Sequence, residues 1–299
     1  MPQLSPGTDD CSVPATGVTP ETGVLLVGHG TRDRRGTDEF FELGDRLANQ
    51  MAGRAVVRPA LLEFQPPTIA TAWGSLVERG VQRIVVAPLL LFAAGHAKSD
   101  IPGEVESARA ATPNGGSIEV TYSRPISRQG FMVAAVRERL SQALQADAGL
   151  PGQPAMANEV STAIVMVGRG SRDVCASADM RVLSEVAVRG KAEPSGTSLA
   201  DEHKLSPIGL ATTFYAMATP RLPDTLDQVA GTGLYRRVIV QPHLLFNGRL
   251  YEAIVNQVAE ARQRFPEVEF IISDYLGPTD AVAQAIASRI QQATLTRPE

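Results

Sequence analysis

Cysteine is scarce: Cys11 and Cys175 are the only two in 299 residues. They lie far apart and form no CxxC or CxH pattern, which excludes a disulfide framework and a cysteine-borne zinc or iron–sulfur site. Positive charge is also short, with 28 Lys and Arg against 32 Asp and Glu, a net charge of −4 and no basic block. No nucleic-acid partner is expected on that balance. No apolar run approaches the ~18 residues that span a bilayer, so no membrane partner is expected either. The opening stretch, MPQLSPGTDDCSVPATGVTPETG, lacks the basic start and apolar centre of a secretory leader. Its Pro, Thr, Gly and Asp content reads as a flexible tail. No GxxxxGK[ST] loop is present, so no nucleotide is expected. The expectation is a cytoplasmic, soluble protein.

What is present in quantity is apolar residue, 43% of the chain, in short runs alternating with helical patterns. The unbroken run at Val24–Gly28 suits a strand buried on both faces. Residues 37–51 place Phe40, Phe41, Leu43, Leu47 and Met51 mostly at helical spacing. Strands at 55–62, 83–92 and 117–126 follow, separated by helical stretches at 68–80, 98–112 and 131–144. Such alternation predicts a parallel sheet flanked by helices.

The second half replays the first. AIVMVGRGSRD echoes LLVGHGTRD, and three further segments match in the same order. Two copies of one α/β domain are implied, each a small, mostly parallel four-stranded sheet flanked by helices. The expected boundaries are a tail over 1–22, a first domain over 23–146, a linker over 147–160, a second domain over 161–292 and a tail over 293–299. The polar insertion at 189–207 of the second copy reads as an exposed loop.

Ligands of open parallel sheets gather beyond the carboxyl ends of the strands. His29, Glu63 and His96 fall there in the first copy, after its first, second and third strands. Two imidazoles and a carboxylate suit a divalent cation such as iron(II), cobalt(II), nickel(II) or zinc(II). Each also has a structural alternative: a histidine hydrogen-bonded at a strand end, or a glutamate capping the next helix. His203, in the polar insertion, reads as a solvated loop residue. His243 reads as buried and satisfied, and Trp73 and the EFFEL aromatics as core.

The segments LLVGHGTRD, ALLEFQPP, VVAPLLLFAAGHAKSDIP and QPHLLFNGRLYEAI resemble the sirohydrochlorin/cobalt chelatases, in their two-domain form. The resemblance runs from Val24 to about Ile290. It implies ATP-independent insertion of a divalent metal, Fe²⁺ or Co²⁺ with Ni²⁺ also suitable, into sirohydrochlorin or a related tetrapyrrole, in siroheme or cobalamin synthesis. It makes His29 and His96 metal-binding and catalytic, puts Glu63 where the family often has an acidic partner, and implies an active site in the cleft between domains. The second copy has Arg169 for His29, Ala216 for Glu63 and Arg249 for His96, so one metal site per chain is expected. Arg169 and Arg249 are candidates for binding substrate carboxylates in the same cleft, with Thr31 and Arg32 beside them. The two copies make a monomer with internal pseudosymmetry the expected state. A carrier without turnover and a histidine phosphatase are the alternatives; against the second, Gly28 stands where an arginine would precede the nucleophilic histidine.

Overall fold

The computed structural model describes residues 21–51, 53–92, 99–145, 161–191, 196–203, 205 and 208–295. His96, Cys11 and the expected linker lie outside these. In the first half the order is β1 (Thr22–Gly28), α1 (Arg34–Met51), β2 (Val56–Leu61), α2 (Ile69–Val77), β3 (Arg83–Pro88), α3 (Asp100–Ala110), β4 (Glu119–Tyr122) and α4 (Gly130–Gln145). The second half runs β5 (Thr162–Gly168), α5 (Val174–Val188), α6 (Leu199–Glu202), β6 (Ile208–Phe214), α7 (Leu222–Gly231), β7 (Arg237–Pro242), α8 (Arg249–Arg264), β8 (Glu269–Ile272) and α9 (Asp280–Leu295).

Each half forms a four-stranded, wholly parallel sheet, ordered β2-β1-β3-β4 and β6-β5-β7-β8. The first strand of each half is central, so its side chains are covered on both faces. Side chains alternate across a strand. Leu25 and Val27 therefore pack outward on Trp73 and Leu76 of α2 and Ile101 and Val105 of α3. Val24 and Leu26 pack inward. In the second sheet Val165 and Val167 pack outward on α7 and α8, while Ile164 and Met166 face inward.

The inward faces of both sheets share one core, filled by α1, α4, α5 and α9. Within that middle layer the last helices are exchanged. Helix α9 lies against α1 and under β3 and β4 of the first sheet, whereas α4 lies against α5 and β7 of the second. Arg46 pairs with Asp280 at 2.9 Å, and Arg128 with Asp179 at 2.7 Å, across the same boundary. Such exposed pairs contribute little. The apolar side chains dominate: Ile286 and Ile290 of α9 are buried in the shared core, each worth about 2 kcal/mol of transfer free energy.

Three expectations need adjusting. The third strand stops at Pro88 rather than running to Phe92, because its pairing with β1 ends there and Leu89–Phe92 leave the sheet for the domain boundary. The insertion is not wholly exposed: Ser198 caps α6 in a capping box and Leu199 is buried. Helix α9 continues past residue 292, burying Ala293. No described helix is long and apolar enough to cross a membrane.

Candidate functional site

The repeated motif GHGTRD/GRGSRD is one backbone device, and each of its positions has a physical task. The strand ends at Gly28 or Gly168, whose carbonyl accepts from Leu62 or Tyr215 in the neighbouring strand-end loop. The next residue, His29 or Arg169, is exposed, and its carbonyl accepts from the Glu63 or Ala216 N–H at 3.0 and 2.8 Å. Gly30 and Gly170 follow with φ of 93° and 87°. A Cβ there would stand 2.2 Å from the Glu63 carbonyl oxygen, or 1.7 Å from that of Ala216, so only glycine serves. Thr31 Oγ1 and Ser171 Oγ then accept the N–H of Asp33 and Asp173 at 3.1 and 3.0 Å. Those aspartates cap α1 and α5 by accepting from Gly36 and Cys175 N–H.

Two cavities open at these turns, each walled by one half and roofed by the other. The first, about 340 Å³, is lined by His29, Thr31, Thr37, Phe40 and Leu89 from the first half and by Leu244–Tyr251 from the second. The second, about 660 Å³, is lined by Arg169, Ser171, Ser177, Met180 and His243 from the second half and by Leu89–Phe92 from the first. They adjoin, with Leu89, Leu244 and Leu245 lining both.

The candidate residues distribute as follows. His29 lines the first cavity, with its ring edge-on to Phe64 at 6.3 Å. The Glu63 backbone is bonded to that of His29, which brings the second strand end beside the first; Glu63 itself is exposed. Arg249, the first residue of α8, lines the His29 cavity, whereas Arg169 lines the other. The two arginines therefore do not share one cavity, because each strand-three loop crosses to roof the opposite half. Thr31 lines the first cavity; the Arg32 guanidinium lies 5.1 Å from the Phe64 ring centroid instead. Among the described residues no three of His, Cys, Asp and Glu gather closely enough to hold a metal ion. The expected third member, His96, is not among them.

Two histidines differ from their sequence readings. His203 is half-buried at the end of α6, and its Nε2 lies 3.1 Å from Ser141 Oγ of α4, so it belongs to the interface. His243 is buried, but not satisfied. It is 2% exposed, its Nδ1 has no hydrogen-bond partner, and its ring lies 5.5 Å from that of Phe92. Burial pushes its pKa down to about 4, which leaves the ring neutral at physiological pH.

Sequence reasoning also missed the tie that seats the roof of the first cavity. Glu39 of α1 accepts the Asn247 N–H at 2.9 Å, the Arg35 guanidinium at 3.1 Å and the Tyr275 hydroxyl. Burial first, and then the bond to Glu39, holds the Tyr275 hydroxyl protonated, well above its ordinary range. Gly36 lets the loop come this close, since a Cβ there would stand 2.6 Å from the Asn247 carbonyl oxygen. Nothing near Glu39 in sequence signals partners more than 200 residues away.

Paired parallel sheets in tandem, with strand-end turns facing cavities across the boundary, define a two-domain α/β protein with its candidate site between the halves. The chain belongs to the CbiX family, which matches residues 23–143 and again 163–293. It is 27% identical over 270 residues to the sirohydrochlorin ferrochelatase of Priestia megaterium, covering 90% of this chain and 89% of that one. Similarity to the sirohydrochlorin cobaltochelatase of the same organism is 24% over 254 residues, 85% of this chain and 74% of the other. Among solved structures, SirB from Bacillus subtilis with Fe³⁺ aligns with a TM-score of 0.71 at 25% identity, covering 91% of this chain and 95% of that one.

Proposed function

We propose that the chain inserts a divalent metal ion, iron(II) or cobalt(II), into sirohydrochlorin without using a nucleotide. The observation that carries this reading is His29, an exposed imidazole on a strand-end turn, facing a cavity roofed by the other half in a chain of the CbiX family. The relatives named above, a ferrochelatase and a cobaltochelatase of sirohydrochlorin, supply the substrate and the choice of metals.

The reaction makes three physical demands. The ion must be held loosely enough to be handed on, which favours a few protein ligands with water at the remaining positions. His29, Glu63 and His96 fill that role in this reading. Two pyrrole N–H protons must leave, and imidazole is a base suited to taking them one at a time and passing each to water. The macrocycle must be gripped through its carboxylates, for which Arg249 stands across the cavity from the His29 turn, with Thr31, Arg32 and Arg169 as further contacts. The two halves supply both walls of the cleft, so a single chain in the cytoplasm suffices.

Metallation followed by absorbance, with iron(II), cobalt(II) and nickel(II) in parallel, tests the reading. Many product molecules per chain are expected with iron(II) or cobalt(II). A reaction that stops at one equivalent would make the protein a carrier and overturn the proposal.

A further inference from the structure

Two large apolar side chains stand on a backbone conformation that suits neither of them. Phe64 and Met217 have φ of 72° and 61°. They hold the same place in the two copies, just past Leu61 and Phe214, the residues that pair with Gly28 and Gly168. In each copy the following N–H donates to the preceding carbonyl: Gln65 to Glu63 at 3.0 Å, and Ala218 to Ala216 at 2.7 Å. A positive φ closed by such a bond is a γ-turn of the rare, strained hand. Glycine takes that φ freely, whereas a side chain there is strained. Burial does not offset the strain, since Phe64 is 50% and Met217 51% exposed. The turn therefore accounts for the φ but not for the side chains. Glycine would close it without strain and without putting apolar surface in water.

The surroundings of the two side chains supply a reason. Met217 lines the second cavity. Phe64 stands beside the first, its ring 6.3 Å from that of His29 and its centroid 5.1 Å from the Arg32 guanidinium. Pockets of roughly 300–1,000 Å³ take drug-sized ligands. A tetrapyrrole with its acid arms is larger than these, and the first cavity holds about 340 Å³. Part of a macrocycle docked at His29 must then lie outside the cavity wall, where Phe64 is the neighbouring apolar surface. A half-exposed aromatic ring, steadied by the cation beside it, offers a flat macrocycle a preformed contact. We propose that Phe64 is a substrate-contacting residue, whose ring packs against the tetrapyrrole macrocycle and holds it over the His29 turn. The proposal rests on the function given above and deepens it: that reading assigns a grip on the carboxylates, and this one a grip on the ring.

The test is binding of metal-free sirohydrochlorin, followed by fluorescence, together with thermal unfolding of the full chain. Phe64→Gly removes the ring and installs the residue that the φ favours. It should weaken binding about tenfold, the loss of one good aromatic contact. The melting temperature should equal or exceed that of wild type, because the strain is relieved. A purely structural role for Phe64 cannot give that pair of results. Phe64→Tyr keeps the ring and should bind within about twofold of wild type. Cobalt(II) titrated alone should bind wild type and Phe64→Gly equally, which separates a lost ring contact from a displaced Glu63. An unchanged Kd for sirohydrochlorin in Phe64→Gly would overturn the contact. So would a weakened one that Phe64→Tyr shares, or one that comes with a lowered melting temperature or an equal loss of cobalt(II) affinity. If wild type metallates sirohydrochlorin while Phe64→Gly binds it equally well, the contact alone fails. If wild type binds no sirohydrochlorin, the proposed function fails and the contact with it.

Discussion

The turns after β1 and β5 share a backbone and differ in what stands on it. Both end a buried strand in glycine, pass through a left-handed glycine and close on an aspartate that caps the next helix. One lifts His29 into its cavity and the other Arg169. Among the described residues, each cavity is nevertheless lined by one imidazole and at least one arginine. The first has its imidazole on the turn and Arg249 on the opposite roof; the second has Arg169 on the turn and its imidazole buried at His243. An imidazole on the turn can meet a metal ion and exchange protons with water. The buried one is held neutral and is cut off from water. Position, more than residue type, separates the two halves.

The comparison breaks first at the turn residues. His29→Ala should reduce metal insertion about 1000-fold with an unchanged circular dichroism spectrum, whereas Arg169→Ala should spare the chemical step and raise KM for the tetrapyrrole about tenfold. Steady-state metallation kinetics separate the two, and comparable losses of kcat in both would end the distinction. A smaller effect sharpens the contrast at His243. Its folded pKa of about 4 lies below the ordinary value of 6.5, so the unfolded chain binds more protons between those limits. This contribution to stability is complete above pH 6.5 and is lost as the pH falls toward 4, amounting to about 3 kcal/mol at most. Urea unfolding at pH 7 and pH 4.5 should show His243→Leu to be less acid-sensitive than wild type by a substantial part of that amount.

Where the two halves are alike, their responses should match. Gly30→Ala and Gly170→Ala should each destabilise by about 2 kcal/mol, through backbone strain and the collision with the facing carbonyl. Denaturant titration that finds a loss in one copy alone would show that the turn is not a shared scaffold. The smallest effect is expected at Glu39→Gln, which weakens the tie to Asn247 and Tyr275 that seats the Arg249 loop. KM should rise about threefold with kcat unchanged, a loss on the order of one hydrogen bond.

The repeat, the parallel sheets and the strand-end position of His29 were legible in the sequence because they depend on local patterns: an apolar run, a glycine turn, a helical period. The exchange of α4 and α9 was not. An amphipathic helix shows in sequence that it has an apolar face, but not which of two similar sheets that face will meet. The same limit hid the crossing of the strand-three loops, which sets Arg169 and Arg249 in two adjoining cavities rather than one. His243 looked like an ordinary core histidine because an unsatisfied nitrogen is a property of its surroundings, and these include Phe92 from the other half.

The exchanged helices also fix a stoichiometry. A half cut out at the linker would keep a last helix built for the other sheet and leave part of the inward face of its own sheet uncovered. Two identical half-length chains could restore the layers only as a pair, and any change to the turn of one would then appear in both. Joined in one chain and interleaved through α4 and α9, the halves always meet one to one, never like with like. A substitution on one turn therefore faces an unaltered partner across the cleft, and the two cavities are free to diverge.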